Sequence, residues 1–165
     1  MRVNQKIGCL LLILIMIGLD QWSKAWIAQH IAEGQLLTFG PYFNLRLAHN
    51  TGAAFSLFRH TDGTIGVGAL WFLIILAFVV SVVIAWWLFI RNAALTSLRA
   101  LSYALILSGA VGNLLDRLKQ GYVIDFADFH IQSWHYATFN VADCAVVSGL
   151  LLILIFSIVD KESSR

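Results

Sequence analysis

From position 63 to position 90 the chain runs 28 residues without a charged side chain. A helix needs about 20 apolar residues to cross hydrocarbon, and a backbone that enters lipid must satisfy its own hydrogen bonds. The stretch therefore predicts a membrane-spanning helix and commits the rest of the chain to a bilayer. Composition agrees: 59% of the 165 residues are hydrophobic and 12% charged, against roughly 45 to 50% apolar in a soluble domain.

Three other apolar runs are shorter, 13 residues at 7–19, 16 at 100–115 and 16 at 144–159. Each can span only by extending past the charge that bounds it. That brings Asp20, Asp116 with Arg117, and Asp143 to the membrane rim or inside it. The expected fold is an all-α integral membrane protein with helices at 7–28, 65–90, 94–118 and 139–159, one polytopic unit over 1–165 with outer loops 29–64 and 119–138. Six Lys and Arg residues fall on the side of the termini and five on the other, while two acids face seven, so both termini are placed in the cytoplasm. Arg2 and Lys6 before an apolar stretch have the form of a signal peptide, but no A-x-A site follows and three more spans do, so the first helix is expected to be retained. Cys9 and Cys144 are expected near opposite membrane faces as packing residues, too far apart to bridge.

The outer segments carry strand patterns. Phe43, Leu45 and Leu47 alternate with Asn44 and Arg46, the period of a half-buried strand, and 121–131 is rich in β-branched and aromatic residues. A small extracytoplasmic sheet is expected, with turns marked by Gly34, Gly40 with Pro41, Gly52 and Gly63. No basic stripe marks a nucleic-acid surface. His30, His49, His60 and His135 read as loop polarity.

Counting at about 1.5 Å per residue from the cytoplasmic ends places Asp20, Asn113 and Asp143 roughly 20 to 24 Å up their helices, in the outer part of a core about 30 Å thick. Helical spacing pairs Asp20 with Lys24 and Asn113 with Arg117 at i,i+4, and Asn140 with Asp143 at i,i+3. Ser108, Gly109, Ala110 and Gly112 allow a neighbouring helix to approach. Asp20 and Lys24 read as an ion pair holding a helix end. Arg117 serves equally as a clamp for carbonyls or headgroups or as the partner of Asp116. Asp125, Asp128 and His130 have metal-ligand residue types, although Asp and His beside a strand are more often solvated, and no metal is expected. Asp143 has no basic residue near it in sequence; its most economical partner is Asp125. Two facing carboxylates share a proton and can act as general base and general acid on a water and a peptide carbonyl, with no cofactor. On these features proteolysis stands level with a proton-relay or small-solute transporter role.

Five blocks, DQWSK (20–24), NTGAAFS (50–56), GAVGNLLDR (109–117), VIDF (123–126) and FNVAD (139–143), resemble in content and order the lipoprotein signal peptidase family, the signal peptidase II enzymes of bacterial inner membranes. The resemblance implies four membrane helices, a small sheet and an interfacial helix on the periplasmic side. It implies an aspartyl endopeptidase that cleaves prolipoproteins just before the cysteine that carries diacylglycerol. Carried onto this chain, the catalytic pair is Asp125 and Asp143. Asn50, Asn113, Arg117 and Asn140 orient the substrate backbone and support the dyad, and Asp20, Lys24 and Asp116 are structural polar residues. The implied partners are a diacylated prolipoprotein, membrane lipid and the family's peptide antibiotic inhibitors, with no nucleic acid. Cys144 stands where a serine is common in the family.

Overall fold

The computed structural model of the chain describes residues 2–52, 66–91 and 96–163. Four of its helices are long and apolar enough to cross a membrane: α1 (Val3–His30), α2 (Val67–Ala85), α3 (Ser97–Gln120) and α4 (Val141–Ser163). A π-helical turn, Trp86–Ile90, continues α2.

The helix ends depart from the sequence reading for local reasons. α1 runs on to His30, whose ring stacks on Trp26 at 4.7 Å and whose Nδ1 lies 2.8 Å from the Trp26 carbonyl oxygen. α3 begins at Ser97, where Thr96 caps it by accepting from the Arg99 amide at 3.4 Å; residue 94, the expected start, lies outside the described residues. It ends where Gly121 takes the left-handed conformation, φ 80°, and donates its amide to the Arg117 carbonyl, the usual glycine stop. α4 begins at Val141 instead of 139, since Phe139 is held in an antiparallel bridge to Ala127. α2 begins at Val67; residue 65, the expected start, lies outside the described residues.

α3 is the hub, packed most extensively on α4, then on α1 and α2. Its small residues make this possible. A Cβ on Gly109 would run into the Ala142 carbonyl oxygen, and one on Gly112 would stand 2.7 Å from Asp20 Oδ2. Both contacts are too close for any side chain. At the end holding the chain terminus, Cys9, Ile13, Leu88, Ala100, Ala104 and Leu107 form a buried apolar cluster. The opposite end of the same helices is polar inside.

That polar end carries the expected sheet, four antiparallel strands in the order β1 (Leu36–Thr38), β2 (Phe43–Asn50), β3 (Val123–Ile131), β4 (Trp134–His135). The alternation read across 43–47 does not continue through β2. Leu45 pairs with Ala127 but Ala48 pairs with Asp125, so β2 holds one extra residue, a bulge. Because strand side chains alternate faces, one extra residue reverses which face the following residues occupy. Ala48 and Asn50 thereby share a face with Asp125. No helix occurs among the described residues of the segments carrying the strands. Residues 53–65, which contain the rest of the NTGAAFS block and the Gly63 turn, lie outside those described, so the implied interfacial helix has no described counterpart.

Candidate active site

α4 starts with a capping box. Asn140 Oδ1 accepts from the Asp143 amide at 2.9 Å, and Asp143 Oδ2 accepts from the Asn140 amide at 3.2 Å. This reciprocal pair satisfies two amides that a helix start leaves without partners, and it fixes the Asp143 carboxylate in the first turn of α4. The same Asn140 donates through Nδ2 to Asp125 Oδ1 at 2.7 Å. One asparagine, 1% exposed, thus holds both acids of the expected pair.

Each carboxylate has a second amide partner. Asn50 Nδ2 donates to Asp125 Oδ2 at 2.9 Å from across the sheet, a contact the β2 bulge makes possible. Asn113 Nδ2 donates to Asp143 Oδ1 at 2.8 Å from α3. Burial pushes the Asp125 carboxyl up to about 7; the nearby Asp143 charge adds to this, and the amides of Asn50 and Asn140 and the Lys24 charge oppose it. One turn beyond Asn113, Arg117 donates to the Gly52 carbonyl at 3.1 Å and, more weakly, to the Asn113 carbonyl at 3.4 Å. Its Nε is buried and has no partner among the described residues. Asp125, Asp143, Asn50, Asn113 and Arg117 all line one cavity of about 940 Å³, closed on another side by Tyr136, Phe139 and the α4 residues Val146 and Val147.

Behind the dyad lies a second polar group. Lys24 is 1% exposed, and its ammonium sits 2.8 Å from Asp20 Oδ2, 2.9 Å from Asp116 Oδ2 and 3.0 Å from Asn113 Oδ1. The Ala142 amide donates to Asp20 Oδ1 at 2.9 Å and the Ile124 amide to Asp116 Oδ2 at 3.3 Å. Gln21 Nε2 donates to Asp116 Oδ1 at 2.8 Å while Gln21 Oε1 accepts from Lys119 at 2.7 Å. A buried charge is costly unless paired and hydrogen-bonded. Here every partner is supplied by α1, α3, β3 and the start of α4.

The structure therefore brings together all nine residues read as catalytic, substrate-binding or structural polar, in two adjoining groups linked by Asn113. Several readings change. Asp116 pairs with Lys24, not with its neighbour Arg117, because adjacent helical residues point in different directions. Asp128 is not solvated: it is fully buried, accepting from His135 Nδ1 at 2.9 Å and Asn44 Nδ2 at 3.3 Å. Burial raises its carboxyl, but these hydrogen bonds and the charges of His135 and Arg46 overcome that and leave it below its ordinary value. It lies on the face of β3 away from Asp125, and no cluster of three metal-ligating residues occurs among the described residues. His135 is thus more than loop polarity, since it pins β4 to β3. Cys9 is a packing residue, but Cys144 is exposed and lines the cavity. Gln21 was missed. Its signal was present in its position beside Asp20 and three residues before Lys24.

The chain is similar to known proteins over nearly its whole length. Residues 12–159 match the family described as Signal peptidase (SPase) II. The chain is 40% identical to a lipoprotein signal peptidase of Photorhabdus laumondii over 92% of this chain and 87% of that one. It is 42% identical to one of Alteromonas mediterranea over 89% and 79%. A solved bacterial membrane enzyme superposes with a TM-score of 0.82 at 25% identity, covering 96% of this chain and 92% of that one. With a match over nearly all its length, four membrane-capable helices, and five sequence blocks of which every described residue falls on one polar end, the chain belongs to the signal peptidase II family.

Proposed function

We propose that this protein is an intramembrane aspartic endopeptidase of the bacterial inner membrane, removing signal peptides from diacylglyceryl-modified prolipoproteins just before the lipidated cysteine. The observation that carries the reading is Asn140, which binds both carboxylates at the wall of one cavity. Asp143 is the base: two N–H groups, from Asn113 and Asn140, satisfy its anion, and the N-terminal turn of a helix favours negative charge. Asp125 is the proton holder, its carboxyl raised to about 7 and so mostly protonated below that pH. Asp143 takes a proton from a water whose oxygen bonds to the scissile carbonyl carbon, while Asp125 gives its proton to the carbonyl oxygen. The resulting diol collapses: Asp143 passes its proton to the leaving nitrogen, Asp125 regains one from a diol hydroxyl, and the C–N bond breaks. Asn50, Asn113 and Arg117, which line the cavity, orient the substrate backbone, and Asn50, Asn113 and the buried Asn140 orient the dyad. Nε of Arg117, without a partner among the described residues, is a donor for a substrate carbonyl.

Both termini lie in the cytoplasm and the sheet on the periplasmic side. A precursor anchored by its signal helix and two acyl chains then presents its scissile bond at the level of the dyad, with the chains in lipid beside α4. Peptide antibiotics of the kind that inhibit the family would occupy the same cavity. The test is gel-shift cleavage of a diacylated prolipoprotein by the purified protein in detergent or proteoliposomes. Release of the signal peptide is expected. An intact substrate, with solute moved in sealed vesicles instead, would overturn the reading in favour of transport.

A further inference from the structure

We propose that Lys24 is a positioning residue for the peptidase reaction: its ammonium holds the side-chain oxygen of Asn113 and so keeps the Asn113 NH2 on Asp143. The inference rests on the aspartic reading above. An ammonium has three donors and no acceptor, whereas a carboxamide has one donor end and one acceptor end. Lys24 sets its three protons against Asp20, Asp116 and Asn113 Oδ1 at 2.8, 2.9 and 3.0 Å. Asn113 has no freedom to turn over, since a flip would aim its NH2 at a buried cation and its oxygen at a carboxylate.

The alternative anchor is weaker. Asn140 Nδ2 also lies 3.2 Å from Asn113 Oδ1, but its two protons face three acceptors, with Asp125 Oδ1 at 2.7 Å the nearest and the Ile124 carbonyl also at 3.2 Å. A second route from the same lysine leads to the same place. Asp20, held by Lys24, accepts from the Ala142 amide in the first turn of α4, directly before Asp143. A cation whose charge is balanced on the far side of the site thus decides which face of an amide the base receives. Among the described contacts Lys24 makes no hydrogen bond to either carboxylate of the dyad, its charge reaching Asp125 only through space.

Lys24→Met alone leaves Asp20 and Asp116 buried without their cation, so the decisive variant is the uncharged triple Asp20→Asn, Lys24→Met, Asp116→Asn. Its residue 20 keeps an oxygen for the Ala142 amide. Cleavage of a diacylated prolipoprotein is measured per folded molecule for wild type, the triple, Asn113→Ala, and the triple combined with Asn113→Ala. Expected is a fall in kcat of the triple on the order of tenfold to a hundredfold, the scale of a misplaced catalytic group, with KM unchanged. Adding the triple to Asn113→Ala costs nothing further, because both act through one amide. Wild-type kcat in the triple, a loss confined to KM, or losses that multiply in the combined variant would overturn the proposal. Failure of the wild type to cleave, or cleavage by Asp143→Asn, would strike the peptidase reading instead.

Discussion

Four aspartates meet at the polar end of this bundle, and they form two pairs built on different centres. Asp20 and Asp116 flank Lys24, a cation; Asp125 and Asp143 flank Asn140, a neutral amide. A cation between two carboxylates lets both remain ionised, and backbone amides of Ala142 and Ile124 complete that arrangement. A neutral amide cannot compensate two negative charges, so the second pair is stable only while one member keeps a proton. On the proposed aspartic reading, residues of one type, in one small volume, are structural or reactive according to what stands between them.

The sharpest way to break this contrast is to neutralise either acid of the amide-centred pair and, separately, to remove the cation of the other. Asp125→Asn and Asp143→Asn should each lower turnover by on the order of a thousandfold or more, as each removes one of two proton transfers. The melting temperature should hold or rise, since a like-charge contact is relieved. A destabilised yet active Asp143→Asn protein would erase the distinction. On the other pair the effect should be on stability: Lys24→Met is expected to cost about 3 to 5 kcal/mol, the scale for stranding buried charges, read as a lowered melting temperature in detergent.

The pH dependence of the neutral-centred pair follows from Asp125. Its carboxyl is raised to about 7 in the folded protein, so the folded state binds a proton that the unfolded chain, near its ordinary value of about 4, has released. The stability it contributes is complete below that ordinary value and is lost as pH rises through about 7. The melting temperatures of wild type and Asp125→Asn should therefore coincide in acid and diverge by pH 8, the wild type being the lower. Cleavage should decline over the same upper range as the general acid loses its proton. Parallel melting curves at all pH values would show that the proton is elsewhere. Smallest is Arg117→Lys, expected to lose about tenfold in kcat/KM, because a point charge cannot reproduce a planar fork that reaches the Gly52 carbonyl and leaves Nε without a partner among the described residues. Wild-type kinetics would return Arg117 to a purely structural role.

Much of this was legible before the fold. Apolar runs set the four helices, and the charges that bound them marked Asp20, Asn113 and Asp143 as lying at one level. Hydropathy was loudest where least happens: the span Val67–Ile90 reaches a mean hydropathy of 2.9 in an 18-residue window of which 17% is buried, while α3, the hub, reaches 1.4 with 50% of its window buried. What remained hidden depended on rotation and register. Which side of α3 faces Lys24 is set by Gly112 against Asp20, a packing fact with no sequence period. The bulge that turns Asn50 toward Asp125, and the hairpin that brings His135 to Asp128, are pairings between distant segments. Alternation within one strand does not report them.

The capping box at the start of α4 has a consequence for the membrane itself. Asp143 is placed by where a helix begins, and the depth of that beginning is tied to how 23 residues of α4 settle across the hydrocarbon. A bilayer too thick or too thin for a span is met by tilting or kinking the span, or by the bilayer thinning or thickening around it. Moving the first turn by one residue would carry the Asp143 carboxylate about 1.5 Å along the axis and swing it about 100° around it, away from the amide of α3. Any tilt or kink of α4 that lipid thickness imposes is thus felt at the helix start, and acyl-chain length is expected to be a variable of the site's geometry.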